Sequence, residues 1–110
     1  MTEEQLQQKI VIEYSNNYCL KNMNPRGVIF SVPNESTYNN KKFKNTGVLR
    51  GVSDLIIITP KGKLYFLELK TEIGVQSEVQ KDFQKRVEDL GYEYKLIRSL
   101  NQFKEWLKDK

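Results

Sequence analysis

The sequence predicts an α/β fold, a mixed β-sheet flanked by helices in the order α-β-β-β-α-β-α. Two segments repeat apolar residues every three or four positions, the period of a helix that covers a sheet. Between them, the apolar runs "DLIIIT" and "KLYFLELK" flank the turn residues "PKG", which is typical of a β-hairpin. At 110 residues the chain is long enough for one core and too short for a second, so residues 1–110 are predicted to form a single domain.

The first helix is predicted from Thr2 to about Lys21. Its apolar stripe recurs every four residues, at Leu6, Ile10, Tyr14 and Tyr18. The proline and glycine of "NMNPRG" end this helix, and "VIFSVPN" from Val28 is predicted as a short strand.

A second helix is predicted after the hairpin, from Ser77 to about Leu90, and Gly91 ends it. Its core-facing residues are Val79, Phe83, Val87 and Leu90. The segment "YEYKLIRS" alternates and is predicted as a fourth strand. The segment "NQFKEWLKDK" is predicted as a short closing helix that packs Phe103, Trp106 and Leu107.

The composition narrows the possible chemistry. There is no histidine and a single cysteine, which excludes histidine bases, Ser-His-Asp and Cys-His triads, internal disulfides and the usual zinc sites. Cys19 is therefore predicted to be a buried thiol. If the chain is an enzyme, its chemistry depends on carboxylates, lysines, amides and an oxygen-liganded metal.

No apolar run approaches the roughly 20 residues that span a membrane, and the N-terminus is polar and acidic. We therefore expect a soluble cytoplasmic protein without membrane contact.

Residues 36–53 are predicted to form a basic mobile loop. They contain no acid, and they contribute Lys41, Lys42, Lys44 and Arg50 in a chain of net charge +4. Aromatic residues lie among these cations, a composition suited to phosphates and bases. A loop that only keeps the protein soluble is the alternative.

The hairpin turn decides which charges share a face. A three-residue turn, with Gly62 in the left-handed conformation, pairs Thr59 with Lys63. Counting outward, Asp54 then lies opposite Glu68, and Lys70 lies on the same face. A two-residue turn at Lys61-Gly62 would instead place Asp54 on the opposite face.

Directly opposed carboxylates have Cβ atoms about 5 Å apart, which destabilises a sheet unless a positive charge lies between them. Lys70, about 7 Å along the strand from Glu68, is one candidate for that charge. A divalent cation is the other, and oxygen ligands favour Mg2+ or Mn2+. An ordinary salt-bridge cluster of Asp54, Glu68 and Lys70 is the structural alternative.

Four short motifs together resemble the VRR-NUC family, the virus-type replication-repair nucleases of the PD-(D/E)XK superfamily. They are "VPNE" at 32–35, "GVSDL" at 51–55, "LELK" at 67–70 and "SEVQKDF" at 77–83, in the family's order and spacing. Where many members have a proline before the aspartate, this chain has Ser53. The resemblance implies a restriction-endonuclease-like fold.

The resemblance also implies roles for matching residues. Asp54 and Glu68 would bind the metal with help from the backbone carbonyl of Leu69, and Lys70 would orient and activate the attacking water. Glu13, which would otherwise be a solvated surface residue, corresponds to the supporting acid of the first helix. Gln80 would assist the active site, although a capping box with Ser77 equally accounts for it.

The implied activity is Mg2+- or Mn2+-dependent endonucleolytic hydrolysis of DNA. By analogy with fold relatives, the substrate would be branched or Holliday-junction-like DNA, the enzyme a homodimer and its source a phage or mobile element. Two alternatives are a catalytically inactive nucleic-acid-binding module with the same fold and a small interaction protein with a salt-bridged hairpin.

Overall fold

The computed structural model describes residues 1–33, 47 and 49–110. In this part of the chain the helices are α1 (Glu3–Tyr18), α2 (Glu78–Asp89) and α3 (Leu100–Leu107). The strands are β1 (Val28–Ser31), β2 (Leu55–Ile58), β3 (Leu64–Leu69) and β4 (Glu93–Ile97). The predicted element order is confirmed.

The four strands form one mixed sheet in the order β1-β2-β3-β4. The first three strands pair antiparallel, while β4 runs parallel to β3. A parallel neighbour requires a crossover connection, and α2 supplies it. None of the helices within residues 1–33, 47 and 49–110 is long and apolar enough to cross a membrane.

The hairpin between β2 and β3 has the three-residue turn. Thr59 N–H donates to the Lys63 carbonyl at 2.9 Å, and Gly62 N–H donates to the Thr59 carbonyl at 2.8 Å. Gly62 has a φ of +80°, which glycine adopts at little cost. The pairing continues from Ile58 opposite Leu64 to Leu55 opposite Leu67. The predicted register is confirmed, and Asp54 lies at the level of Glu68.

The sheet buries both of its faces. One face packs against α1 and α3 and forms the larger core of Leu6, Ile10, Tyr14, Leu55, Ile57, Leu67, Leu69, Ile97 and Phe103. Each such side chain contributes roughly 1.5–3 kcal/mol by leaving water. The other face packs Phe66 and Tyr94 against Phe83 and Val87 of α2. Asp54 and Glu68 belong to this second, smaller layer.

Three predicted details differ in the structure. Leu90 is 75% exposed, because α2 ends at Asp89 and Leu90 is its C-cap, where the chain leaves the helix. The first helix ends at Tyr18, three residues earlier than predicted, since Gly27 N–H donates to the Tyr18 carbonyl at 2.6 Å. Cys19 is the C-cap of α1 and is only partly buried.

Gly51 allows the segment before β2 to pass close to the start of α2. Its φ is +81°, and a Cβ atom at this position would overlap the Val79 carbonyl. An alanine would therefore meet backbone atoms as well as an unfavourable φ, and only glycine permits this close approach. The approach brings the segment before Asp54 against the first turn of α2, next to the backbone of Gln80.

We expect Gly51→Ala to lower the free energy of unfolding by about 2–3 kcal/mol, because the contact and the backbone conformation both disfavour it. Gly62→Ala is the matched control, since Gly62 has a similar φ but no atom within 4 Å of the added Cβ. It should lose only about 1 kcal/mol. Urea denaturation of both variants measures the difference, and equal losses would contradict the close approach.

Candidate active site

Asp54 and Glu68 meet at one end of the sheet. Asp54 immediately precedes β2, and its Oδ2 accepts the Leu69 N–H of β3 at 2.8 Å. On its other side, the Asp54 carbonyl accepts the Val32 N–H at 2.9 Å, beyond the end of β1. Backbone groups from both neighbouring segments therefore hold Asp54 against β3, next to Glu68.

The Glu68 side chain is 1% exposed, so its carboxyl group depends on protein partners. Its Oε2 accepts a hydrogen bond from Gln80 Nε2 at 2.9 Å and lies 3.6 Å from Lys70 Nζ. Its Oε1 is buried and has no hydrogen-bond partner among the described residues. A buried oxygen without a partner costs free energy of folding. Such an atom in a folded protein indicates a functional role, such as binding an ion.

The electrostatics of the pair agree with that geometry. Burial and then the negative charge of Asp54 raise the pKa of Glu68 to about 8. Burial also raises the pKa of Asp54, although the Leu69 N–H partly offsets this effect. Ionised carboxylates only accept hydrogen bonds, so Asp54 and Glu68 can hydrogen-bond to each other only when one of them carries a proton. Without that proton, a cation must offset the repulsion between their two negative charges.

A divalent cation fits these residues. Asp54, Glu68 and the Leu69 carbonyl provide only oxygen ligands, which suit Mg2+ or Mn2+. Among the described residues, no group of three or more acidic, cysteine or histidine side chains gathers to hold a metal ion. Such a cation would therefore keep several waters or substrate oxygens, as Mg2+ commonly does.

Lys70 and Gln80 both face the Glu68 carboxyl group. Lys70 is 9% exposed, and its Nζ forms an ion pair with Glu68 Oε2 at 3.6 Å. Gln80 caps α2 and also contacts Glu68, because its two amide atoms make separate hydrogen bonds. Its Oε1 accepts the Ser77 N–H at 2.8 Å and caps α2, while its Nε2 binds Glu68.

A cleft of about 440 Å3 opens beside the two carboxylates. The start of α1, the end of β1 and the segment before β2 form its walls. Its lining residues are Glu3, Glu4, Gln7, Ser31, Val32, Pro33, Leu49, Gly51, Val52, Asp54, Glu68, Leu69 and Gln80. The acids that α1 contributes are therefore Glu3 and Glu4, at its first turn.

The structure does not bring Glu13 to this cleft. Glu13 lies nine residues beyond Glu4, which is about 13 Å along a helix axis. Its carboxylate instead accepts from Asn17 Nδ2 at 2.7 Å and pairs with Lys104 Nζ of α3 at 3.6 Å. The period of α1 predicted which face is buried, but not which end of the helix lies over the acid pair.

Sequence reasoning missed Tyr94 as a site residue. Tyr94 was predicted only as part of an alternating strand, yet its phenol is 5% exposed and its hydroxyl lies beside the Glu68 carboxyl. Burial and then the charge of Glu68 raise the pKa of this hydroxyl. No local pattern could have indicated the contact, because it depends on β4 lying parallel to β3.

The predicted DNA-contacting cations are only partly described. Arg50 is exposed and lies between Leu49 and Gly51, two residues that line the cleft. Lys41, Lys42 and Lys44 lie outside the described residues.

Comparison with solved structures identifies the fold. No family model matches the sequence, and no curated protein matches it either. A solved "VRR_NUC domain" superimposes with a TM-score of 0.68 and 18% identity, covering 98% of this chain and 97% of that chain. A "VRR_NUC domain protein" superimposes with a TM-score of 0.73 and 19% identity, covering 99% of this chain and 87% of that chain. The chain has the fold of VRR_NUC domain proteins, and the resemblance carried by its motifs is confirmed at the level of the fold.

The raised pKa of Glu68 predicts how metal-free stability changes with pH. Folded Glu68 keeps its proton up to about pH 8, whereas the unfolded side chain loses it near its ordinary pKa of 4.5. Folding therefore takes up a proton between these values, and the contribution of Glu68 to stability falls as pH rises. In EDTA, we expect the stability of Glu68→Gln relative to wild type to grow by at least about 1 kcal/mol from pH 5 to pH 8.

Urea denaturation at several pH values measures this difference. Glu78→Gln is the control, because the Glu78 side chain is 92% exposed and its variant should follow the wild type. A Glu68→Gln difference that is constant with pH would contradict the proposed charge repulsion.

Proposed function

We propose that this chain is a divalent-metal-dependent endonuclease that hydrolyses phosphodiester bonds in DNA. The observation that carries the proposal is the buried Asp54–Glu68 pair at the edge of an open cleft in a nuclease-type fold, with one carboxylate oxygen that has no partner in the described part of the chain. A purely structural salt-bridge cluster does not require a cleft or leave a buried oxygen without a partner.

Asp54, Glu68 and the Leu69 carbonyl would hold the Mg2+ or Mn2+ ion. When bound, such an ion polarises the scissile phosphate and lowers the pKa of a bound water. Leu69 contributes twice, since its N–H orients Asp54 while its carbonyl is available as a ligand. Gln80 holds the Glu68 carboxylate from α2 and so limits its rotation.

Lys70 would position the attacking water and stabilise the negative charge that develops on the phosphate. Burial strengthens this effect, because a charge in a poorly solvated site acts through a lower effective dielectric constant. The ion pair with Glu68 at 3.6 Å holds the Lys70 ammonium group beside the carboxylate. In this scheme, Glu4 or Glu3 replaces Glu13 as the supporting acid of the first helix.

DNA binding would use Lys41, Lys42, Lys44 and Arg50. These side chains would neutralise phosphates on either side of the cleaved bond, and binding should weaken steeply as salt rises. The net charge of +4 and the position of Arg50 near the cleft support this role.

The substrate we propose is branched DNA, such as a Holliday junction, and the active form is a homodimer. A junction requires two symmetric cuts, which one small active site cannot make at the same time. The strand β1 supports a dimer, since it is an edge strand among the described residues and its Val28 and Phe30 are about half exposed. Cleavage of junction, flap, single-stranded and duplex DNA should be fastest on the junction.

Cleavage assays test the activity itself. The wild type should nick DNA with Mg2+ or Mn2+ and stop with EDTA. Asp54→Asn and Glu68→Gln should each lose at least a hundredfold in rate, as should Lys70→Met, which should still bind DNA within about twofold of wild type. Lys61→Met, at the far end of the hairpin, is the control.

Retained cleavage in Asp54→Asn or Glu68→Gln would contradict the proposal that these residues bind the catalytic metal ion. Wild-type DNA binding without any cleavage would instead support the alternative, an inactive nucleic-acid-binding module.

The position of the supporting acid is a separate prediction. Glu4→Gln and Glu3→Gln change a charge at the cleft, so at least one of them should lower the cleavage rate about tenfold. Glu13→Gln should leave the rate within twofold, because Glu13 pairs with Lys104 away from the cleft. A larger loss in Glu13→Gln than in both other variants would show that the α1 placement is wrong for the active enzyme.

A further inference from the structure

A chain of hydrogen bonds runs from the surface of α2 to the site. Gln84 Nε2 donates to Glu88 Oε2 at 3.3 Å, and Gln76 Nε2 donates to Gln84 Oε1 at 3.0 Å. Gln76 Nε2 also donates to the Tyr94 hydroxyl oxygen at 3.1 Å. The chain thus links an exposed carboxylate with a buried phenol beside Glu68.

The direction of each hydrogen bond follows from the chemistry of the groups. Glu88 as a carboxylate only accepts, so the amide nitrogen of Gln84 faces it and the amide oxygen of Gln84 faces Gln76. That oxygen requires a donor, which orients the amide nitrogen of Gln76 toward Gln84 and Tyr94. The Tyr94 oxygen therefore accepts from Gln76, and its single hydrogen remains available for another acceptor.

Glu68 is the candidate acceptor for this hydrogen, since its charge acts on the Tyr94 hydroxyl. In the parallel pairing of β3 and β4, Tyr94 lies opposite Phe66 and Leu96 lies opposite Glu68, so the phenol and the carboxylate are close neighbours on one face. The Phe83 ring packs 6.3 Å from the Tyr94 ring and restricts its movement. Glu68 Oε1, meanwhile, is buried and has no hydrogen-bond partner within residues 1–33, 47 and 49–110.

We propose that Tyr94 is a positioning residue for the metal ligand Glu68, and that Gln76 sets the direction in which the Tyr94 hydroxyl donates. The inference rests on the proposed metal-dependent function. A carboxylate that binds a metal depends on hydrogen bonds to keep its orientation, and loss of such a partner typically weakens metal binding 10–100-fold. Gln80 restrains Glu68 from α2, and Tyr94 restrains it from β4.

The test measures Mg2+ binding without DNA, as the free Mg2+ concentration at the midpoint of a binding titration followed by isothermal titration calorimetry. Tyr94→Phe removes the donor and keeps the ring. Gln76→Glu keeps Tyr94 but offers it an acceptor, which turns the hydroxyl away from Glu68. Both variants should raise the midpoint about tenfold. Tyr65→Phe, a buried tyrosine on the opposite face, is the control and should stay within twofold.

Gln76→Glu makes the test sharp, because an added negative charge would by itself tighten Mg2+ binding. A higher midpoint in this variant therefore shows that the Tyr94 hydroxyl has turned away from Glu68. The double variant Tyr94→Phe with Gln76→Glu should be no weaker than Tyr94→Phe alone, since both changes remove the same hydrogen bond. If Tyr94→Phe does not fold, Gln76→Glu decides the question.

Unchanged midpoints in Tyr94→Phe and Gln76→Glu, with a normal wild-type response, would overturn this inference and leave the proposed function intact. An equal rise in Tyr65→Phe would also overturn it, as a general loss of packing. A wild type that binds Mg2+ but cleaves no DNA would overturn the proposed function, while the midpoints would still decide the role of Tyr94. A wild type without any Mg2+ response would overturn both.

Discussion

The three-residue turn between β2 and β3 sets a register on which the site depends. Side chains alternate along a strand, so a shift of one residue would move Asp54 to the opposite face from Glu68. Gly62 stabilises this turn because it adopts the left-handed backbone conformation without strain. The two carboxylates are more than ten residues apart in sequence. The turn at the far end of the same hairpin nevertheless brings them together in space.

Placing Asp54 beside Glu68 lowers the free energy of unfolding. The surrounding groups reduce this loss but do not remove it. The Leu69 N–H and the Gln80 amide each satisfy one carboxylate oxygen, while burial and mutual repulsion still raise the pKa of Glu68 to about 8. Gly51 contributes by letting the segment before β2 approach α2. Local cost of this kind is common where a protein builds a binding or catalytic site on a stable scaffold.

The sequence predicted most of the fold and the centre of the site, because both follow from local rules. Periodicity located the helices and strands, and turn chemistry aligned Asp54, Glu68 and Lys70. The prediction for Glu13 had a weaker basis, since a helical stripe identifies the buried face of α1 but not its direction across the sheet. Tyr94 could not be found at all, because a buried strand tyrosine has the same local pattern with or without a polar neighbour.

The sequence by itself determined the elements, the hairpin register and the absence of histidine chemistry, because each depends on residues close together in the chain or on composition. Only the tertiary structure decided that Glu3 and Glu4, rather than Glu13, line the cleft, and that Gln80 caps α2 and binds Glu68 at once. These features depend on how α1 and α2 pack on the sheet. The buried residues of the whole chain fix that packing, and no short segment encodes it.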